Sequence, residues 1–185
     1  MPERLGAGLT LRPARPADLP AMAALLEAVI AEGDKTAFEG PMTAERIDAL
    51  FLSGATCCGC MVALDGEKLL GFQGLDAQYL QGTGWADVSS FAAAAARGRG
   101  VGAALWLATR QAAESRGLRG LRAVIRAVNT GAQGYYRRCG FGAVTGTLPE
   151  GVVPDLPGRI VLVHPLHTGP ENTHLSAPQA HKPVA

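Results

Sequence analysis

Apolar positions alternate or run together in short blocks over residues 8–14 (GLTLRPA), 58–64 (CGCMVAL), 69–77 (LLGFQGLDA) and 85–91 (WADVSSF). The same holds over 121–128 (LRAVIRAV), 141–148 (FGAVTGTL) and 158–166 (GRIVLVHPL). Period-two patterning of this kind predicts strands. Between them the period changes. Leu19, Met22, Leu26 and Val29 recur at helical spacing in PADLPAMAALLEAVIAE, with Asp18 as its expected N-cap. Thr43 opens a second helix, TAERIDALFLS, without the acid three residues on that a full capping box needs. A third helix is predicted over 101–116, with Val101, Leu105, Ala108 and Ala112 on one face. A short fourth, NTGAQGYYRRC, is weakened by Gly131 and Gly134.

Turn chemistry punctuates the pattern. Asp65-Gly66 between two apolar blocks is a hairpin signal. GDKTAFEGPM (33–42) and LQGTG (80–84) read as loops. From residue 168 the chain turns polar and proline-containing without periodicity, so residues 168–185 are expected to be a disordered tail. The order β-α-α-β-β-β-α-β-α-β-β predicts a mixed α/β domain around one sheet, spanning residues 1–167.

Composition narrows the function classes. A chain of 185 residues with 48% hydrophobic and 18% charged residues fits one soluble domain. A net charge of +1 gives no reason to expect a nucleic-acid partner or an acidic membrane surface. MPERLGAG is not an apolar signal segment, and no apolar run approaches the roughly 18 residues of a membrane span. The expectation is a cytoplasmic protein. Of four cysteines, three cluster as Cys57-Cys58-Gly59-Cys60. A zinc site wants a second spaced pair, which is lacking, so no metal is expected. Cys58 and Cys60 are expected on one face of their strand.

The candidate chemistry starts at AAAAARGRGVG (92–102). Gly98, Gly100 and Ala103 satisfy a dinucleotide fingerprint, but Leu118, Arg119, Leu121 and Arg122 stand where its ribose-binding acid should be. A nucleotide-hydrolysing P-loop fails because no Lys-Ser/Thr follows the glycines. A plain flexible loop explains one glycine easily and three alternating glycines poorly, since each costs conformational entropy. A pyrophosphate cradle explains them best. Successive N–H groups converge on an anion, the start of the next helix adds its partial charge, and Arg97 and Arg99 add charge-assisted contacts.

Arg97-x-x-Gly100-x-Gly102 resembles the acyl-CoA signature of the GNAT superfamily of N-acetyltransferases. Asn129-x-x-Ala132-x-x-x-Tyr136-x-x-x-Gly140-Phe141 is similar to that family's later motif at every spacing, and LTLRPARPADLPAM looks like its opening strand and helix. The resemblance covers roughly residues 8–166. It implies a mostly antiparallel sheet of about six or seven strands, flanked by about four helices, with one splayed pair holding acetyl-CoA. The splayed strands would be 85–92 and 121–128. The pantetheine arm would pair with the main chain of Phe91, Ala92 and Ala93, and the pyrophosphate would rest on the N–H groups of Arg97, Gly98, Arg99, Gly100, Val101, Gly102 and Ala103. The family's proline in this bend is missing, as nothing between Trp85 and Pro149 is proline.

The resemblance makes Asn129 either a cofactor contact or a helix cap. It makes Tyr136 the acid that protonates the departing thiolate, with a packing role for Tyr135. Asp87, the acid on the strand before the cradle, is the candidate base. A ping-pong route through Cys139 is disfavoured. For the acceptor, Glu32, Asp34 and Glu39 with Asp87 could form an acidic mouth for a cationic amine, and Phe38, Tyr79 and Trp85 could line an apolar pocket. The expected activity is transfer of an acetyl group to the primary amine of a small molecule. The alternatives are a protein or peptide acceptor, or a non-catalytic acyl-CoA-binding module. The resemblance leaves a homodimer open.

Overall fold

The computed structural model describes residues 3–4, 8–144, 152 and 157–166. The expected tail (168–185) and residues 145–148 of the expected strand 141–148 lie outside them. Seven strands form one sheet in chain order: β1 (Glu3–Arg4), β2 (Leu9–Pro13), β3 (Cys57–Asp65), β4 (Lys68–Asp76), β5 (Trp85–Ala92), β6 (Gly120–Arg126) and β7 (Arg159–Pro165). Every neighbouring pair is antiparallel except β5–β6. Four helices accompany them: α1 (Leu19–Ala31), α2 (Ala44–Phe51), α3 (Val101–Ser115) and α4 (Thr130–Arg138). In the described part of 141–148 the expected strand reduces to one bridge, Gly142 to Val163.

The sheet divides two cores. On one face Met22, Leu26 and Val29 of α1 and Ile47 and Phe51 of α2 pack on Val62, Phe72 and Phe91. On the other, α3 and α4 cover the sheet through Trp106, Ala113 and Tyr136 against Val88, Leu121 and Ile125, and through Val101 and Leu105 against Ala63 and Leu70. Of the face expected on α3, Val101 and Leu105 are buried; Trp106 and Thr109 widen the buried stripe, while Ala112 is only half-buried.

Two local expectations are corrected. Asp18 does not cap α1, because its own backbone is already helical; it caps the preceding 3-10 turn (Pro16–Asp18) from within, accepting from the Arg15 N–H at 2.8 Å. The same carboxylate takes both ends of the Arg12 guanidinium, at 2.7 and 2.8 Å, tying β2 to the start of α1. Cys58 and Cys60 do not share a face. The β3–β4 register slips between Cys57 and Gly59, so Cys58 is the extra residue of a bulge and packs with the α3/α4 core, whereas Cys60 joins the α1/α2 core. All four cysteines are free thiols, and no group of three or more metal-ligating side chains occurs among the described residues. Thr43 does cap α2, accepting from the Arg46 N–H at 3.2 Å. Asp65 pairs with Lys68, which closes the hairpin on Gly66-Glu67, with Gly66 at φ +58°.

Candidate active site

The parallel pair is brief. Only Trp85–Gly120, Ala86–Leu121 and Asp87–Arg122 are in register. Beyond them β5 runs on to Ala92 beside β4, and β6 runs on to Arg126 beside β7. The facing edges of 88–92 and 123–126 therefore diverge, which is the splay the sequence implied.

Register shows which groups face this gap. Ala93 N–H donates to Leu70 O at 2.9 Å, across the Gly71–Ala92 pair. Alternation then turns the main-chain groups of Val88, Ser90 and Ala92 toward the gap and those of Phe91 toward β4. Of the three residues expected to pair with pantetheine, Ala92 alone presents its N–H and C=O there. Ser90 was missed.

The expected cradle follows the end of β5. Gly98 and Gly100 adopt φ of +75° and +80°, values that a side chain would strain. The first helical bond of α3 is Ala104 N–H to Gly100 O, so the N–H groups of Val101, Gly102 and Ala103 have no acceptor within the helix. A Cβ on Gly102 would lie 2.9 Å from the Tyr135 ring. Arg99 is exposed. Arg97 is committed elsewhere: it forms a two-pronged pair with Glu32, both distances 2.6 Å, and donates to Ala92 O at 3.3 Å. The pair holds the Glu32 carboxyl below its ordinary range. Positive-φ glycines, unpaired N–H groups and a diverging strand edge fit a pyrophosphate and a pantetheine arm.

Tyr136 stands at the apex of the gap. It is 5% exposed and donates to Val88 O at 3.1 Å, the first carbonyl past the last β5–β6 pair. Ser90 Oγ lies 2.8 Å from its hydroxyl. Burial is the main influence on the phenol and pushes its pKa far up, keeping it protonated. Tyr135 packs against Tyr136 with ring centroids 5.0 Å apart and donates to Gly102 O at 2.9 Å.

Three of the four expected acids are matched by an arginine. Asp87 accepts from Arg122 at 2.6 and 2.8 Å; the Arg122 side chain is 3% exposed and that of Asp87 23%. Asp34 meets Arg126 at 3.2 Å. Glu39 stays exposed, its carbonyl accepting from Arg46. Three of the four acids of the expected mouth are therefore paired charges. Asn129 is a cap: its Oδ1 accepts from Ala132 N–H at 3.0 Å, and its Nδ2 donates to Lys35 O at 2.8 Å. Phe38 packs edge-on to Phe91 at 5.8 Å within the α1/α2 core. Trp85 lies apart from it, with Leu80, Val152 and Val163. Tyr79 is exposed. Cys139 has its thiol pKa raised by burial, which disfavours a thiolate nucleophile.

Sheet order, splay and apical tyrosine define a class, and comparison with known proteins gives the same one. The Acetyltransferase (GNAT) family profile matches residues 23–141, more than half of the chain. The chain belongs to the GNAT acetyltransferase family. None of the curated proteins matches it. Among solved structures, a GCN5-related N-acetyltransferase from Kribbella flavida is 29% identical, with a TM-score of 0.70 over 86% of this chain and 98% of the other. A protein described provisionally as a phosphinothricin N-acetyltransferase is 28% identical, with a TM-score of 0.69 over 86% and 99%. A phosphinothricin acetyltransferase from Sinorhizobium meliloti, solved with acetyl-CoA, shares the fold at 22% identity, with a TM-score of 0.69 over 86% and 89%.

Proposed function

We propose that this protein transfers the acetyl group of acetyl-CoA to the primary amine of a small molecule, by direct attack within a ternary complex. The observation that carries the reading is the Tyr136 hydroxyl at the apex of the splayed strands, buried, protonated and aimed at the gap. When bound, acetyl-CoA supplies a thioester carbonyl for the amine to attack and a sulfur that leaves. The main-chain groups of Ser90 and Ala92 hold the pantetheine amides by strand addition. The N–H groups of Gly98, Gly100, Val101, Gly102 and Ala103 at the start of α3 hold the pyrophosphate, while the Arg99 N–H is bonded to Ala96 O and its side chain is the available cation. Asn129 serves the site by fixing the 33–42 loop through Lys35.

Tyr136 holds the proton that the departing sulfur takes. Asp87 is the proposed acceptor of the amine proton. Its bidentate pair uses one lone pair on each oxygen, which leaves the outer ones for a water at its exposed edge. With three mouth acids paired to arginines, an acceptor bearing both charges, such as an amino acid, suits the site better than a polycation. The 28% identical relative described for phosphinothricin, itself an amino acid, supports that choice.

The test mixes purified protein with acetyl-CoA and a panel of amines, and follows free thiol. The panel holds L-phosphinothricin, other amino acids, polyamines, aminoglycosides and short peptides. The expected result is turnover of an amino-acid-like amine, cut at least about tenfold (roughly 1.4 kcal/mol of barrier) by Tyr136→Phe. Turnover of peptides alone would move the acceptor to proteins. Acetyl-CoA binding without turnover of any amine would reduce the protein to a binding module.

A further inference from the structure

Gln73 is fully buried in the middle of β4, between Phe72 and Gly74 in a strand otherwise built for a core. Its Nε2 donates to Ser90 Oγ at 2.5 Å and to Tyr135 Oη at 3.1 Å. Its Oε1 has no hydrogen-bond partner. Leaving a buried amide oxygen unpaired costs about 1–3 kcal/mol, so an apolar residue would suit stability better. The amide has to serve something other than packing.

Counting protons shows what. Nε2 carries two, and both are spent. Tyr135 spends its own on Gly102 O, so it accepts from Gln73. Tyr136 spends its own on Val88 O. Ser90 has accepted from Gln73, and the contact between its Oγ and Tyr136 Oη then has one consistent direction: Ser90 donates. Tyr136 Oη is thus faced by the Ser90 hydroxyl, which Gln73 orients.

We propose that Gln73 and Ser90 are positioning residues that stabilise Tyr136 after it has given up its proton. The inference rests on the reading of Tyr136 as the acid. In the step, the Tyr136 O–H bond breaks and an S–H bond forms on the departing sulfur, while the electron pair stays on Oη. The phenolate later regains a proton, through water, equal to the one lost by the acceptor nitrogen. A phenolate buried this deeply is costly without donors already in place. Ser90 supplies one, and Gln73 prevents the Ser90 hydroxyl from turning away.

The test replaces Tyr136 with a fluorinated tyrosine of lower intrinsic pKa and titrates it by phenolate absorbance in the free protein. The charged and titratable groups bearing on this position, Cys139 just past α4, Tyr135 of α4 and Asp87 of β5, are unchanged by the variants. Ser90→Ala should raise the apparent pKa by about one unit (about 1.4 kcal/mol), Gln73→Leu by less, and Ser90→Thr should restore it. With natural Tyr136, acetyl-CoA and L-phosphinothricin, or the panel amine that turns over faster, Ser90→Ala should lower kcat about tenfold. KM for acetyl-CoA should not change, and the variant should cost nothing further in the Tyr136→Phe background. If Gln73→Leu does not fold, the Ser90 pair carries the test. An unshifted titration, or a Ser90→Ala loss that persists in Tyr136→Phe, overturns the proposal while sparing the acid. Full turnover by Tyr136→Phe alone overturns the acid, and the proposal with it.

Discussion

The two faces of this sheet handle polar groups in opposite ways. On the α1/α2 face four ion pairs stand out: Arg12 with Asp18, Arg97 with Glu32, Arg122 with Asp87, Arg126 with Asp34. On the α3/α4 face a neutral network stands out: buried Gln73 and Tyr136 and half-buried Ser90 and Tyr135 share hydrogen bonds without a formal charge. The Arg97–Glu32 and Arg126–Asp34 pairs sit where water screens them. The inner network lies where a charge is expensive, which keeps the tyrosine protons on their oxygens. Acceptor recognition fits the first face, and proton delivery fits the second.

The sharpest way to break this contrast is at Arg122, the most deeply buried member of the charged set. Arg122→Leu leaves the Asp87 carboxylate without its partner and also strips a donor from Val152 O. Removing one member of a buried pair costs about 3–5 kcal/mol. Urea unfolding should show a loss of that size, well above the loss from Gln73→Leu, which also deletes the unpaired Oε1. Equal losses would mean that the faces do not differ in kind.

The sequence carried one face better than the other. Glycine spacing and the tyrosine motif announced the cradle and Tyr136, because each demands a particular residue at a fixed offset. Alternation exposed the strands, and Asp65-Gly66 the hairpin. Ion-pair partners were invisible: Asp34 and Arg126 meet only because the loop after α1 folds against the end of β6, and the sequence shows neither distance nor direction. The bulge at Cys58 shifted a parity that periodicity assumed to be regular. Gln73 had a visible signal, a lone amide inside LLGFQGLDA, whose meaning needed the register that sets it against Ser90.

Asp18 tests the charged face by pH. Arg12 draws its carboxyl pKa below the ordinary value, with burial opposing. A depressed folded-state pKa gives stability that is present above the unfolded pKa and lost as pH falls through the folded one. Asp18→Asn should cost about 1–3 kcal/mol near pH 7 and flatten the decline of stability below about pH 4. Urea midpoints at neutral and acid pH measure both.

A smaller effect is expected at Gly100, where the opposite face begins. Its φ of +80° costs any L side chain about 1–2 kcal/mol, although open space surrounds the position. Gly100→Ala should therefore lower stability modestly and weaken CoA binding about tenfold, since relieving the strain would re-aim the cradle's N–H groups. Calorimetric titration with CoA reads the second effect; unchanged affinity would take Gly100 out of the cradle.

Glu32→Gln should change stability least and inform most. The Glu32–Arg97 pair is partly exposed on both sides, and pairs of that kind contribute about 0–1 kcal/mol. Yet it spans from the end of α1 to the start of the cradle and holds Arg97 against the Ala92 carbonyl, a group facing the gap. Neutralising Glu32 frees a guanidinium beside the proposed phosphate site. CoA affinity should rise about threefold to tenfold in low salt (roughly 0.7–1.4 kcal/mol), and the gain should shrink as ionic strength screens it. Dephospho-CoA keeps the pyrophosphate and should show the same gain, whereas pantetheine lacks phosphate and should show none. Tighter binding of pantetheine would instead mean that Arg97 had been blocking the strand edge, with release of the Ala92 carbonyl as the cause.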